Sequence, residues 1–156
     1  MNRLLCAITI VGALASVTAC KKDPCADANF KVEAPKLCMK IPATMKANPV
    51  TDEGKGKVIS FSGPDGLYFR LFWTKSNHEA DVDGYIKQNI GGRAPIGQGP
   101  VPNREKAKFY HVNSGPNYGV ATVYEQGKEN FYECTANTDA AKMPALVEAC
   151  KTLWVE

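Results

Sequence analysis

The chain has 156 residues, carries 19 lysines and arginines against 16 aspartates and glutamates for a formal net charge of +3, and is 44% hydrophobic. A balance this close to neutral gives no argument from net charge for a nucleic acid or an anionic surface as partner. The length suits one domain with a sizeable core, and a single domain is expected.

The chain opens with Asn2 and Arg3, runs apolar from Leu4 to Ala15, and closes this segment on Ser16, Thr18 and Ala19. That is the charged, apolar and small-residue order of a secretory signal over residues 1–19. It is too short to cross a bilayer, which takes about 20 apolar residues, and Lys21-Lys22-Asp23 stop it. The four residues Val17-Thr18-Ala19-Cys20 resemble the lipobox of bacterial lipoproteins, with Val17 in place of the commoner Leu. The resemblance implies a diacylglyceryl thioether on Cys20, cleavage before it, and acylation of the new amino terminus by a fatty acid such as palmitate. It also implies sorting to the outer membrane of a Gram-negative type bacterium, because Lys21 rather than Asp follows the lipidated cysteine. Cleavage after Ala19 by a soluble-export peptidase is the alternative, and it would leave Cys20 a plain thiol.

Cysteine counting bears on that choice. The 137 residues after the signal (156 − 19) keep Cys20, Cys25, Cys38, Cys134 and Cys150. Assigning Cys20 to lipid leaves an even set for an oxidising compartment. Four cysteines allow three pairings. The local one, Cys25 with Cys38 and Cys134 with Cys150, closes two short loops worth about 3 kcal/mol each in the chain-entropy model. A zinc site is the rival, but no Cys-x-x-Cys is present and the chain has two histidines.

Residues 20–36 read as a lipidated tether and lead-in loop, and residues 37–156 as the folded domain. Leu37 to Ile41 is a short strand stopped by Pro42. A loop follows over residues 43–56. Val58 to Ser62 and Leu67 to Trp73 form a hairpin around Gly63-Pro64-Asp65-Gly66, with Leu67, Phe69, Leu71 and Trp73 on one face. A helix capped by Asn77 or Asp81 carries Val82, Tyr85, Ile86, Asn89 and Ile90 at helical spacing and ends at Gly91-Gly92. Residues 91–104 are expected as an irregular Gly/Pro loop. Lys106 to Val112, Tyr118 to Tyr124 and Asn130 to Ala136 form an antiparallel meander. A last helix aligns Met143, Leu146, Val147, Cys150, Leu153 and Trp154, with Pro144 in its first turn.

The expected fold class is therefore α+β, a mostly antiparallel sheet with two helices packed on it in the order βββαβββα. Over residues 37 to 154 this order resembles the PsbP-like sandwich, whose members include photosystem accessory proteins and regulators that bind other proteins. The resemblance implies a fold and no activity.

Candidate chemistry is sparse. His78, Glu79, Asp81 and Asp83 are the densest possible ligand set, but the residue twelfth from Asp81 is Gly92, where a calcium loop needs glutamate. An acidic helix start explains them without a metal. Gly97-Gln98-Gly99 lacks a third glycine for a dinucleotide, since Pro102 stands there, and Gln98-Gly99 replaces the Lys-Ser/Thr of a phosphate loop. Gly97 and Gly99 read instead as a rim, should the domain have a ligand mouth. A hydrolase would draw on His111, or on Glu125, Glu129 and Glu133 around one hairpin. His111 reads better as a strand residue beside Phe109, and the acids as solvated turn residues. Tyr110, Tyr118, Tyr124 and Tyr132 read as core, with Tyr132 on the helix-facing side of Cys134.

The function expected is that of a lipid-anchored, non-enzymatic accessory or binding module, without metal or cofactor, for an envelope protein or a small apolar ligand. An envelope hydrolase and a purely structural surface lipoprotein are the alternatives.

Overall fold

The computed structural model of the protein describes residues 23–76, 82–89, 93–115 and 118–156. Cys20 and the signal lie outside these residues, as do the expected caps Asn77 and Asp81 and the ligand candidates His78 and Glu79.

The hairpin around Gly63-Pro64-Asp65-Gly66 joins the strands β5 (Gly56–Ser62) and β6 (Tyr68–Thr74). Its turn is one 3-10 turn over Pro64–Gly66, closed by Asp65 at φ 56° and Gly66 at φ 72°. The pairing sets Phe61 opposite Phe69, and their rings stack at 4.4 Å. The meander is also present as β8 (Arg104–Gly115), β9 (Tyr118–Gln126) and β10 (Phe131–Asp139). Because β10 pairs with β6 as well as with β9, hairpin and meander merge into one antiparallel sheet.

The arrangement βββαβββα does not hold. The described residues form two antiparallel sheets from eleven strands, and strands occupy stretches expected to be loop or helix. β1 (Phe30–Glu33) lies within the stretch expected as tether and pairs with β2 (Lys36–Met39), which stands where the strand from Leu37 was expected. β3 (Lys46–Ala47) and β4 (Thr51–Glu53) both pair with β5, one after the other along its free edge. Pro49 separates them, since a proline has no N–H to continue a ladder. The expected loop 91–104 contains β7 (Pro95–Val101), which pairs with β8 through two register shifts. The last helix is shorter than its apolar stripe: α2 covers Met143–Lys151, and Trp154–Val155 is a strand, β11, against β2. The Thr152 hydroxyl forces that change. It donates to the Ala149 carbonyl at 2.7 Å, ending the helix, and accepts the Lys40 N–H at 2.8 Å, directing the chain onto β2.

The large sheet runs β3-β5-β6-β10-β9-β8-β7, and the small one β1-β2-β11. Alternation puts Phe69, Leu71, Trp73, Val123, Tyr132, Cys134 and Ala136 on one face of the large sheet. α2 and the inner side of the small sheet cover that face. Met143, Leu146 and Cys150 of α2, and Leu37, Met39 and Val155 of the small sheet, complete a single core. Phe30 meets Phe61 edge-on at 4.9 Å across it. Both disulfides follow the local pairing: Cys25 is bonded to Cys38, and Cys134 of the large sheet to Cys150 of α2.

The other face of the large sheet is buried too, though less broadly. Tyr110, Val112, Tyr124 and Phe131 lie there with little exposure, outside the main core. α1 (Val82–Asn89) belongs to this side: Asp83 meets the Lys108 ammonium at 2.6 Å. Among the described residues, α2 alone of the two helices contributes to the main core. A two-helix face is thus replaced by helices on opposite faces, with a second sheet beside α2.

Candidate functional site

The parity of β8 decides what the second face offers. Ala107 and Phe109 point to the main core, so Lys108 and Tyr110 point the other way, towards α1. Along α1, Asp83 and Lys87 are four residues apart and share one face of the helix. β7 adds Gln98 opposite Tyr110 and Pro100 opposite Lys108. Together these side chains enclose a cleft of about 550 Å³ between α1 and the β7–β8 ribbon, within the range of small-molecule sites.

The cleft pairs an apolar floor with a cationic rim. Tyr110 and Pro100 supply flat apolar surface, and Gln98 an amide that can donate or accept. Lys108 is already joined to Asp83, leaving Lys87 as the rim charge to which no side-chain partner is assigned among the described residues. Gly99, expected as a rim residue, lines the cleft at φ 156°. Gly97 does not line it. It lies over the Phe109 ring on the core side, where an added Cβ would stand 3.3 Å from the ring edge.

A second cavity of about 540 Å³ opens at one end of the sheets, between the Ala34-Pro35 turn, Lys55, Lys75 and the β9–β10 turn at Glu129 and Asn130. Its walls mix charged side chains such as Lys55, Lys75 and Glu129 with apolar surface from Ala34, Pro35 and Trp73.

The three glutamates considered for hydrolysis do not converge. Glu125 stands opposite Tyr132 on the core face, whereas Glu133 stands opposite Tyr124 on the other face. Glu129 lies in the turn at the second cavity. Glu125 is buried and ion-paired to Arg104, whose Nε donates to it at 3.3 Å and whose Nη2 forms a second, shorter contact. Nη1 of the same guanidinium donates to the Lys151 carbonyl at 2.7 Å, at the end of α2. Burial pushes the Glu125 carboxyl above its ordinary range, and the Arg104 charge and hydrogen bond pull it partly back. The group works as a brace between β8, β9 and α2.

His111 lies beside Phe109, ring centroids 6.5 Å apart, and its Nε2 is buried without a hydrogen-bond partner. Burial lowers its pKa. A lowered folded pKa contributes stability that is complete above the ordinary histidine value and lost as pH falls through the lowered one. His111→Leu should therefore flatten the decline of the urea midpoint between about pH 7 and pH 5; parallel declines in both proteins would refute this. Tyr132 and Tyr124 are buried, as expected of core tyrosines, and the Tyr118 side chain lies outside the described ones. Among the described residues, no group of three or more acids, histidines or cysteines stands together as a metal site.

Lys87, Lys108 and Pro100 were not singled out in the sequence, Gln98 stood out only as the residue between Gly97 and Gly99, and Tyr110 read only as core. The signal available was the parity of β8, given that Phe109 faces the core. The charge spacing on α1 supplied a second.

No protein-family model and no curated protein matches this sequence. A crystal structure from Bacteroides thetaiotaomicron VPI-5482, at 1.50 Å resolution, is similar to it with a TM-score of 0.52 and 16% sequence identity. The match covers 77% of this chain and 45% of that one, so the chain spans less than half the length of its structural neighbour, and what the two share is the fold.

Proposed function

We propose that the protein is a non-enzymatic binding module of the bacterial envelope, held at the outer membrane by lipid on Cys20, whose ligand is a small apolar molecule with an anionic end. The cleft between α1 and the β7–β8 ribbon carries this reading: it offers apolar surface at Tyr110 and Pro100 under the ammonium of Lys87. The buried part of a ligand would gain roughly 25 cal/mol per Å² of apolar area removed from water. The rim lysine would orient its charge. The Cys20 anchor rests on the lipobox resemblance and on the even set of cysteines left once Cys20 is set aside. The engagement of Glu125 by Arg104 and the separation of the glutamates favour binding over hydrolysis.

Anilinonaphthalene sulfonate, an aromatic anion whose fluorescence rises in apolar surroundings, is a suitable probe. Tyr110→Ala and Lys87→Glu should each weaken its binding about tenfold, or about 1.4 kcal/mol, with the far-ultraviolet circular dichroism unchanged. Equal affinity for the wild type and both variants would remove the cleft as the site.

A further inference from the structure

The small sheet has an inner side and an outer one, and on the outer side Cys38 is 1% exposed beneath its bond to Cys25 while the lysines around it are exposed. Phe30, Val32, Leu37, Met39 and Val155 pack inward. The alternate positions, Lys31, Glu33, Lys36, Cys38 and Trp154, form the outer side, with the Cys25–Cys38 bond lying on it. Lys31 and Lys36 are exposed, Trp154 is half-buried under the Lys36 ammonium at 6.0 Å, and Lys40 is exposed just past β2. From residue 21 to residue 40 the chain carries five lysines against three acids.

The chain ahead of this face is short. Cys25 is five residues from Cys20, and five residues reach at most about 17 Å even when fully extended. A domain of this length is about 35 Å across, given a radius of gyration of about 14 Å. If Cys20 is held in the bilayer, the tether is too short to carry the far side of the domain to the surface. We infer that the outer side of the small sheet is a membrane-docking face, set against the anionic phospholipid headgroups of the leaflet that holds Cys20. The inference rests on the lipid anchor in the proposed function and is independent of what the cleft binds.

The chemistry of the face suits that partner. Lysines near an anionic leaflet are attracted to it within a Debye length, and tryptophan is favoured at the level of the headgroups. The opposing charges are Glu33 on the strands and Asp23 and Asp27 beside Cys25, which Lys31, Lys36 and Lys40 match in number and which Lys21 and Lys22 of the tether tip to a basic balance. The small sheet and α1 also cover opposite faces of the large sheet. Docking the small sheet therefore turns the cleft away from the bilayer, open to ligand arriving through the aqueous phase.

Acetylation of lysines by an amine-reactive reagent, read by mass spectrometry, tests the orientation on the full protein purified with its native amino terminus. It would be compared in detergent micelles and in vesicles of phosphatidylethanolamine and phosphatidylglycerol. Labelling of Lys31, Lys36 and Lys40 should fall several-fold in the vesicles, while Lys87 and Lys108 label equally in both. In phosphatidylcholine vesicles the protection should weaken. An acylated Cys20 together with unprotected Lys31, Lys36 and Lys40, or with protection at Lys87 and Lys108 instead, would overturn the docking face and leave the anchor standing. An unmodified Cys20 in the amino-terminal peptide would remove the anchor and, with it, this orientation. Lys31→Glu with Lys36→Glu, both at exposed positions, should abolish the protection of Lys40 with the fold intact; protection that persists would exclude the charges as its cause.

Discussion

Replacing Arg104 with methionine should cost about 3–5 kcal/mol of folding stability at pH 7, the usual loss when one partner of a buried ion pair is removed, and markedly less at pH 4. The pair is enclosed, with the Arg104 side chain 13% exposed and that of Glu125 9%. Without the guanidinium, the Glu125 carboxylate stays buried with no counter-charge, and the Lys151 carbonyl loses its donor. The sign of the pH effect follows from the direction of the shift. Burial already raises the folded-state pKa of Glu125, and Arg104 is what restrains it. A raised carboxyl favours the folded state while it is protonated, and that contribution is lost as pH climbs from the ordinary glutamate value through the folded one. In Arg104→Met the restraint is gone, so the folded pKa moves further up and the loss extends over a wider range above pH 4.5. Denaturant titrations of both proteins at the two pH values measure the difference. An equal loss at pH 4 and pH 7 would show that Arg104 acts through packing alone. Adding Glu125→Gln to Arg104→Met should recover part of the stability by removing the stranded charge.

Removing the bond between β10 and α2 is the second large effect. Cys134→Ala together with Cys150→Ala should lower stability by about 3 kcal/mol, the value for a loop close to 15 residues, against a sequence separation here of 16. For a domain of this size that is a fall in melting temperature on the order of 10 °C. The two bonds should also differ under reductant. Cys134 and Cys150 are 0% and 1% exposed, whereas the other bond pairs the buried Cys38 with a partly exposed Cys25 that a reductant can reach. Thiol trapping during a slow titration with dithiothreitol should find Cys25 and Cys38 reduced first. Loss of Cys134–Cys150 first, or a double variant as stable as the parent, would contradict the role given to this bond.

Strands that announce themselves do so through large alternating side chains. β6, with Phe69, Leu71 and Trp73 buried in turn, was legible from period alone, and so was its hairpin with β5. β7 was not, because Pro95, Gly97, Gly99 and Pro100 give it no apolar alternation and weak intrinsic preference for a strand. It is held by its neighbour: β8 runs for 12 residues and offers a ladder, and the Phe109 ring fills the space that a side chain at Gly97 would take. β11 was hidden for a different reason. Leu153 and Trp154 continue the helical stripe of α2 in sequence, and only the distant Lys40, brought in by β2, gives Thr152 a partner that turns the chain.

The disulfides were legible by counting, since a local pairing was the simplest use of four cysteines. The glutamates misled because spacing in sequence was read without parity. Glu125 and Glu133 flank one hairpin, yet its register sends them to opposite faces, where one braces α2 and the other accepts from the Thr135 hydroxyl at 2.9 Å. The cleft shows the same dependence. Gly99 was recognisable as a backbone that leaves space, but Lys108 and Tyr110 become its wall and floor only once β8 has its register and α1 lies on that face.

The Cys25–Cys38 bond also determines how the domain responds to mechanical load. Tension arriving along the chain at Asp23 passes from Cys25 straight through sulfur to Cys38, so β1 and the turn at Ala34 and Pro35 lie in a closed loop that carries none of it. β1 is an edge strand and, pulled from its own start, would peel away one hydrogen bond at a time. Cys38 sits instead in β2, the central strand of the small sheet, flanked by Lys31 of β1 on one side and Trp154 of β11 on the other. The domain is thus gripped by its middle strand, so the ladders on both sides of β2 share the load.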